Sequence, residues 1–452
     1  MRRIIWLSVF ISCSLISSAQ KNNSVVSGPM IGYTEYRTAK IWIEMNENIK
    51  QATLSYKNID GTEKKITTNT NGSFPNVFVF TLTALEPGNS YSYKIVLPGN
   101  LNAVATGTVQ TEEYWRWRKP APDFSFITGS CAYINEDAYD RPGRNRYGLD
   151  SSIFETMAKE KAAFNLWLGD NWYTREADYY SEWGLNYRAS HDRHLPVMQN
   201  LLKAMSQYAI WDDHDYGPNN SDKSYIFKDA ARNTFMKYWC NPTYGEKGEG
   251  TYTKITWNDA DLFLLDDRWF RSNDDMADSI NGQPNTDKRM FGEQQMEWLK
   301  NALLFSNGDR QTHFRIIVTG SQVLNPFSPY DCFRHYSYEY NELMNFIADN
   351  KIEGVVFLTG DRHHSEIIKQ ERNGLYPLYD ITVSPFTSSV AKTRDAEVNN
   401  PDRVGAEIDA QNYGRFSFSG DNKNRMLKVE FIGLHGEVLG QWSVAAKDLQ
   451  VK

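Results

Sequence analysis

The chain has 452 residues, of which 40% are hydrophobic, 14% aromatic and 23% charged; that composition is globular and excludes a disordered or low-complexity chain. Forty-nine basic residues against 56 acidic ones give a formal charge of -7, which argues against a sequence-specific nucleic-acid binder with a basic footprint. At this length one large or two to three smaller domains are expected, with a core that needs no disulfide staples.

At the N-terminus, Arg2 and Arg3 precede the apolar run Ile4 to Ile11, and small residues continue up to Ser17-Ser18-Ala19. This layout reads as a secretory signal over residues 1–19. The apolar run is too short to span a bilayer, and no later stretch reaches about 18 uninterrupted apolar residues. The mature chain is therefore expected in the periplasm or outside the cell, without a transmembrane segment. Lipid anchoring through Cys13 is disfavoured, because Phe10-Ile11-Ser12 is a poor approach to a lipid-bearing cysteine. After processing, Cys131, Cys240 and Cys332 remain. An odd count in an oxidising compartment leaves at least one thiol free, intermolecular or bound to something.

Residues 24–112 contain short runs rich in β-branched and aromatic residues, such as Lys40 to Glu44, Val77 to Leu82 and Tyr91 to Ile95. Turn residues separate them, as at Asp60-Gly61 and Pro87-Gly88-Asn89. The pattern predicts an all-β sandwich. The turn Leu85-Glu86-Pro87-Gly88 before a Tyr-rich strand resembles fibronectin type III modules, which implies a packing partner rather than a site. Residues 113–123, with Trp115, Trp117, Pro120 and Pro122, read as a linker.

From 124 to 452 apolar strands alternate with helical stretches, which predicts an α/β layered domain. Strands are expected at Phe124–Thr128, Phe164–Leu168, Gln207–Trp211, Leu262–Leu265, Phe314–Thr319, Val355–Leu358, Tyr379–Val383, Leu427–Phe431 and Val438–Val444. Helices are expected at Ser152–Lys161, with Ser152 and Glu155 as a capping box, and at Ser224–Tyr238, Glu293–Phe305 and Glu339–Asn350. No helix is evident after the last strand. The aromatic-rich stretch Asp178 to Met205 is either a substrate-facing lid or helix packing.

The loops at the strand ends carry the chemistry. Gly129-Ser130-Cys131, Gly169-Asp170-Asn171-Trp172-Tyr173, Asp212-Asp213-His214-Asp215 with Asn219 and Asn220, Asp266-Asp267-Arg268, and Gly360-Asp361-Arg362-His363-His364 each come directly after an apolar run. In α/β sheets, ligands bind beyond the carboxyl ends of strands, where such loops converge. Alone, each loop is an ordinary turn or surface pair; together they place acids, imidazoles, an amide and a thiol at one rim. Unpaired carboxylates would repel there, and cations such as Fe, Mn, Zn or Ca resolve the conflict. Two ions bridged by one carboxylate are a usual device for in-line displacement at phosphorus. His191, His194, His313, His335 and His435 sit in no such pattern and read as structural.

The order of these loops resembles the calcineurin-like metallophosphoesterase superfamily. Gly169-Asp170-x-x-Tyr173 matches its purple-acid-phosphatase branch. Trp211-Asp212-Asp213-His214-Asp215-Tyr216-Gly217, with the other loops, is closer to the PhoD-like alkaline phosphatases, which also carry an N-terminal β-sandwich. The resemblance implies a fibronectin III-like sandwich followed by an α/β (αββα, two-sheet) metallophosphoesterase domain holding Fe(3+) and Ca(2+), with Mn and Zn as further candidates; separately from it, a monomer is expected. It implies Cys131 as thiolate, Tyr173 as phenolate and His363 at the iron site, and Asp170 as the bridge. Asp361 and Asn219 (or Asn220) would serve the second site, with Asp213 there or at an extra calcium. His214 would stand near the leaving group and Arg268 near the phosphate oxygens or behind the ligands. The activity implied is hydrolysis of a small-molecule or lipid phosphate ester by a metal-bound hydroxide. A phosphodiesterase or phospholipase-type enzyme on the same site, or a non-catalytic secreted binding protein, are the alternatives. The loop after Asp215 departs in spacing from the Asp-Asp-His-Glu form of the motif, so Asn219 and Asn220 both stay open.

Overall fold

The computed structural model describes residues 24–142 and 145–451; the expected signal over 1–19 and Cys13 lie outside the described residues. Seven strands come first: β1 (Val25–Thr34), β2 (Ala39–Met45), β3 (Gln51–Lys57), β4 (Glu63–Asn69), β5 (Val77–Leu82), β6 (Ser90–Val96) and β7 (Ala105–Gln110). β6 shows why they form: Tyr91, Tyr93 and Ile95 are buried while Ser90, Ser92 and Lys94 are exposed, the period of two of a half-buried strand. β1, β2 and β5 make one antiparallel layer and β4, β3, β6 and β7 the other. Ile41, Ile43, Leu54, Phe78, Phe80 and Tyr91 share one core between them.

The rest of the chain runs β8 (Phe124–Gly129), α1 (Ile153–Met157), β9 (Phe164–Leu168), α2 (Glu182–Arg193), α3 (Gln199–Ala204), β10 (Ser206–Ile210), α4 (Asp213–Tyr216), α5 (Lys228–Tyr238), β11 (Thr253–Trp257) and β12 (Ala260–Leu264). After a short hairpin, β13 (Ser279–Ile280) with β14 (Gln283–Pro284), come α6 (Gly292–Gly308), β15 (Phe314–Val318), α7 (Ser337–Asp349), β16 (Val355–Thr359), β17 (Glu366–Gln370) and β18 (Leu378–Thr382). The last strands are β19 (Asn412–Ser419), β20 (Met426–Gly433) and β21 (Val438–Ala445), with a 3-10 turn at Ala446–Leu449 after them.

Two sheets organise the molecule. One has the order β21-β20-β19-β8-β9-β10-β1-β2-β5, the other β11-β12-β15-β16-β18-β17. β8, β9 and β10 are mutually parallel, as are β12, β15, β16 and β18. Phe126, Leu166, Leu168 and Ile210 from the first sheet join Leu262, Leu264, Ile316, Val318 and Leu358 from the second in one core, which also takes Leu299 and Leu303 of α6 and Leu343 and Ile347 of α7. Ile127, Trp167 and Ala209 have the opposite parity and pack with Phe154 of α1, Leu201 of α3 and Phe235 of α5. Strands buried on both faces read as continuous apolar runs, and β9, β12, β15 and β16 are buried at every position.

Several elements differ from the sequence expectation. β1 pairs in parallel with β10, Ile31 opposite Ser206, so one layer of the N-terminal module continues the large sheet. α1 is shorter than expected and the capping box is absent: Ser152 makes no side-chain cap, and Asp150 Oδ1 instead accepts from the Ser152 N–H at 2.8 Å. The stretch 178–205 folds into α2 and α3. α2 buries Leu185, Arg188 and Ala189, and Thr234 Oγ1 of α5 donates to its Asn186 at 3.0 Å, while Tyr180 and Trp183 stay exposed. β19, which no pattern marked, lies between β8 and β20.

Candidate metal centre

The loops after β8, β9, β10, β12 and β16 converge at the carboxyl ends of their strands and are stitched together through the backbone. The Cys131 N–H donates to the Gly169 carbonyl at 3.3 Å, Ala132 N–H to Asp170 at 2.8 Å, and Gly360 N–H to Gly320 at 2.8 Å. The Asp361 N–H donates to Ser130 Oγ at 3.2 Å. Glycine permits the approach: a Cβ on Gly169 would lie 2.5 Å from Asp212 Cβ, and one on Gly360 would lie 2.8 Å from Ser130 Cβ. Cys131, Asp170, Asp361 and His363 all hold left-handed backbone, with φ of 63°, 52°, 62° and 57°. Such residues cost on the order of 1 kcal/mol or more each and gather where a site requires them.

Two donor groups result. The ligand atoms of Cys131, Asp170 and His363 lie within 4.8 Å of one another, and so do those of Asp170, Asp213 and His214. Asp170 is common to both. In the first group Cys131 Sγ is 3.6 Å from Asp170 Oδ2 and receives a hydrogen bond from Ser384 Oγ at 3.2 Å. Tyr173 OH reaches His363 Nε2 at 3.3 Å. His363 Nδ1 lies 2.8 Å from the Ser389 carbonyl. A carbonyl only accepts, so Nδ1 carries the proton and Nε2 keeps its lone pair for the group.

The second group starts at α4. Asp212 caps this turn, accepting from the Asp213 N–H at 2.9 Å, and Asp215 Oδ2 accepts in return from the Asp212 N–H at 3.0 Å. The cap aims Asp213 and His214 at Asp170: the His214 N–H donates to Asp213 Oδ1 at 2.8 Å and to Asp170 Oδ1 at 3.4 Å. The His214 ring lies over Tyr173, centroids 4.2 Å apart, and its buried Nδ1 has no partner. Asp213 Oδ2 accepts from the Asn220 N–H at 2.7 Å. Asn219 is exposed, and its side chain donates to Asn220 Oδ1 at 2.8 Å.

Arg268 stands behind these residues, not at the rim. Its side chain is fully buried. Nε donates to Asp212 Oδ1 at 2.7 Å, and Nη2 to Asp331 Oδ2 at 2.9 Å. Asp267 accepts from the Ser321 N–H at 3.0 Å.

The electrostatics are those of crowded acids. Burial, then the Asp361 charge, pushes the Cys131 thiol up to about 12. Burial, then Cys131 and Asp213, holds Asp170 well above the carboxylate range. Asp361 is raised to about 6 by burial and by the charges of Asp331 and Asp213. Asp213 goes the other way: burial opposes its ionisation, but His214, Arg268 and the Asn220 N–H hold it below the usual range. Burial lowers both His214 and His363, opposed by the Asp213 charge at His214 and by the Asp361 charge at His363. Thiol, phenol and carboxyl groups that burial holds toward their neutral forms surround shared Asp170 with two imidazoles, a donor set whose ionised forms a pair of cations would stabilise.

Sequence reasoning passed over Ser384, Tyr147 and Asp331. Ser384 had a signal, since it directly succeeds the expected strand Tyr379–Val383 as the other loop residues succeed theirs. Tyr147, whose OH lies 3.3 Å from His363 Nδ1, and Asp331 come from irregular segments with no pattern to mark them.

The chain is similar in sequence and in fold to known phosphatases. The family model of PhoD-like phosphatases matches residues 130–420. Alkaline phosphatase D of Bacillus subtilis (strain 168) is 22% identical over 328 residues, which cover 62% of this chain and 52% of that protein; the chain thus spans about half the length of that curated relative. The solved structure of PhoD superposes with a TM-score of 0.73 at 18% identity, covering 94% of this chain and 89% of that one. Purple acid phosphatase PPD1 from yellow lupin (Lupinus luteus) seeds superposes with a TM-score of 0.64 at 11% identity, covering 93% and 75%. At these identities the two structures speak for the fold.

Proposed function

The chain belongs to the PhoD-like phosphatase family, and we propose that it is an exported, metal-dependent phosphoric ester hydrolase acting on small-molecule or lipid phosphate esters. The observation that carries this reading is Asp170, one carboxylate within reach of two donor groups. Cys131, Tyr173 and His363 on one side suit ferric iron. Asp213, Asp361 and an amide from Asn219 or Asn220 on the other suit calcium, with Mn or Zn as substitutes. When bound, such a pair supplies positive charge to phosphoryl oxygens and lowers the pKa of water toward neutrality.

The chain's own residues order that chemistry. The Ser389 carbonyl fixes the His363 tautomer. His214, its ring tilted over Tyr173 and its Nδ1 unpartnered, belongs to the second group as a donor to the cation or to the leaving oxygen. The burial of Arg268 supports a role in holding Asp212 rather than in touching phosphate. The seven-stranded module, read as fibronectin III-like, joins the catalytic sheet edge to edge through the β1–β10 pairing. Among the described residues no helix is long and apolar enough to cross a membrane, and export rests on the signal pattern of residues 1–19.

A second reading, a diesterase or phospholipase-type enzyme, draws on Tyr147. It is 40% exposed and lies against His363, ring centroids 5.7 Å apart; such an aromatic edge suits an ester with an apolar second arm. Elemental analysis with mono- and bis-aryl phosphate assays, before and after chelation, tests both. Iron and calcium near one per chain, with hydrolysis lost on chelation and regained on metal addition, is expected. Faster bis-aryl turnover would favour the second reading. A metal-free protein without hydrolysis would overturn both.

A further inference from the structure

Behind the candidate centre two buried guanidiniums share one carboxylate. Asp331 Oδ2 lies 2.9 Å from Arg268 Nη2 and 2.9 Å from Arg271 Nη2, and both arginine side chains are at most 1% exposed. Arg271 is held further by Asp274 at 2.8 Å. Arg268 has Asp212 on Nε, but its Nη1 is buried without a partner. Asp331 lies near the C-terminal end of the segment between β15 and α7, just before a 3-10 turn at Phe333–His335. That end is pinned: Gln322 bridges to Cys332, and the Phe333 N–H donates to the Gln322 carbonyl at 2.7 Å. The carboxylate is therefore presented from a fixed point.

A buried guanidinium that loses one carboxylate turns to another, because an uncompensated charge in the interior is costly. Asp213 is close at hand: Arg268 Nε and the Asp213 N–H both donate to Asp212 Oδ1, at 2.7 and 2.9 Å. We propose that Asp331 is a positioning residue whose carboxylate keeps the Arg268 guanidinium off Asp213, so that Asp213 remains available to a cation. This rests on the reading of Asp213 as a ligand of the second cation. Asp331→Asn keeps the shape and one acceptor oxygen but removes the charge. Arg268 would then take up Asp213, and the second cation would compete with it.

The test is calorimetric titration of calcium into iron-loaded protein, with thermal melts to verify folding. Asp331→Asn is expected to bind calcium at least tenfold more weakly with iron content unchanged. Adding Arg268→Met and Asp212→Asn to Asp331→Asn removes the competing charge together with both of its carboxylates while keeping a capping side chain at position 212, and is expected to restore affinity to within threefold of wild type. An unchanged constant in Asp331→Asn overturns the proposal alone. So does a triple variant that stays tenfold weak, even if the single variant cannot be purified. No calcium uptake by wild type overturns the two-cation reading and this proposal with it.

Discussion

Cys131 Sγ lies 3.6 Å from Asp170 Oδ2, and each of these residues sits two positions beyond the end of its strand in left-handed backbone. Burial and mutual charge push both toward their neutral forms. The fold thus holds a thiol and a carboxyl in contact at local cost, which is the pattern of a site tuned to a ligand rather than to stability.

Replacing Asp170 by Asn separates these two demands. Hydrolysis should fall at least about 100-fold, about 2.7 kcal/mol in the barrier, and metal content should drop with it. The metal-free variant should melt no lower than metal-free wild type, because a buried carboxyl that resists ionisation is exchanged for a neutral amide of the same shape. Wild-type turnover with full metal content, or a large loss of metal-free stability, would contradict the assignment of Asp170.

The converging loops are legible in sequence because each acid comes after an apolar run that buries at every position, as Asp170 does after Phe164–Leu168 and Asp361 after Val355–Leu358. Strand direction then puts the loops at one edge. Other features depend on partners distant in sequence. Ile31 and Ser206 meet across the module boundary, and Asp331 acquires its meaning from Arg268 and Arg271. From its place after β12, Arg268 reads either as a phosphate contact or as a residue behind the ligands, and its partners Asp212 and Asp331, which draw it inward, come from distant segments. The helices within 178–205 are obscured in sequence by their aromatic residues, of which Tyr180 and Trp183 point outward.

Gly320 should tolerate no side chain. A Cβ there would lie 2.5 Å from Asp212 Oδ2 and 2.9 Å from Asp267 Oδ2. Gly320→Ala should cost about 1–3 kcal/mol by overpacking, and it should displace Asp212, the cap of α4. Urea unfolding and metal content should fall together; a variant with a wild-type midpoint would show that the loop gives way freely.

Stability should also depend on pH through Glu44. Burial raises its carboxyl to about 7, only partly offset by Ser190, Tyr238 and Arg193. The folded state therefore holds this proton more tightly than the unfolded chain. Its contribution is fully present below the ordinary glutamate value of 4.5 and is lost as pH rises through about 7. Glu44→Gln removes the titration, so the wild type should lose on the order of 2 kcal/mol relative to the variant between mildly acidic and mildly alkaline pH. Parallel stability curves for the two proteins would exclude Glu44 as the group responsible.

The same carboxylate marks a junction that decides whether the N-terminal module can be removed. Ser190 Oγ of α2 donates to Glu44 at 2.7 Å, Trp42 Nε1 to the Lys237 carbonyl at 2.7 Å, and the Tyr33 N–H to the Cys240 carbonyl at 2.9 Å. Met30 and Trp42 belong to the core that holds Trp239 and Tyr238. A fragment starting at residue 113 would leave β10 as an open strand edge beside exposed aromatic rings, a template for edge-to-edge association. It should elute as aggregates on size exclusion and bind little metal, while the chain with the module intact stays monodisperse. A monodisperse fragment with full metal content would mean instead that the β1–β10 seam is a passive contact and that the large sheet closes at β10.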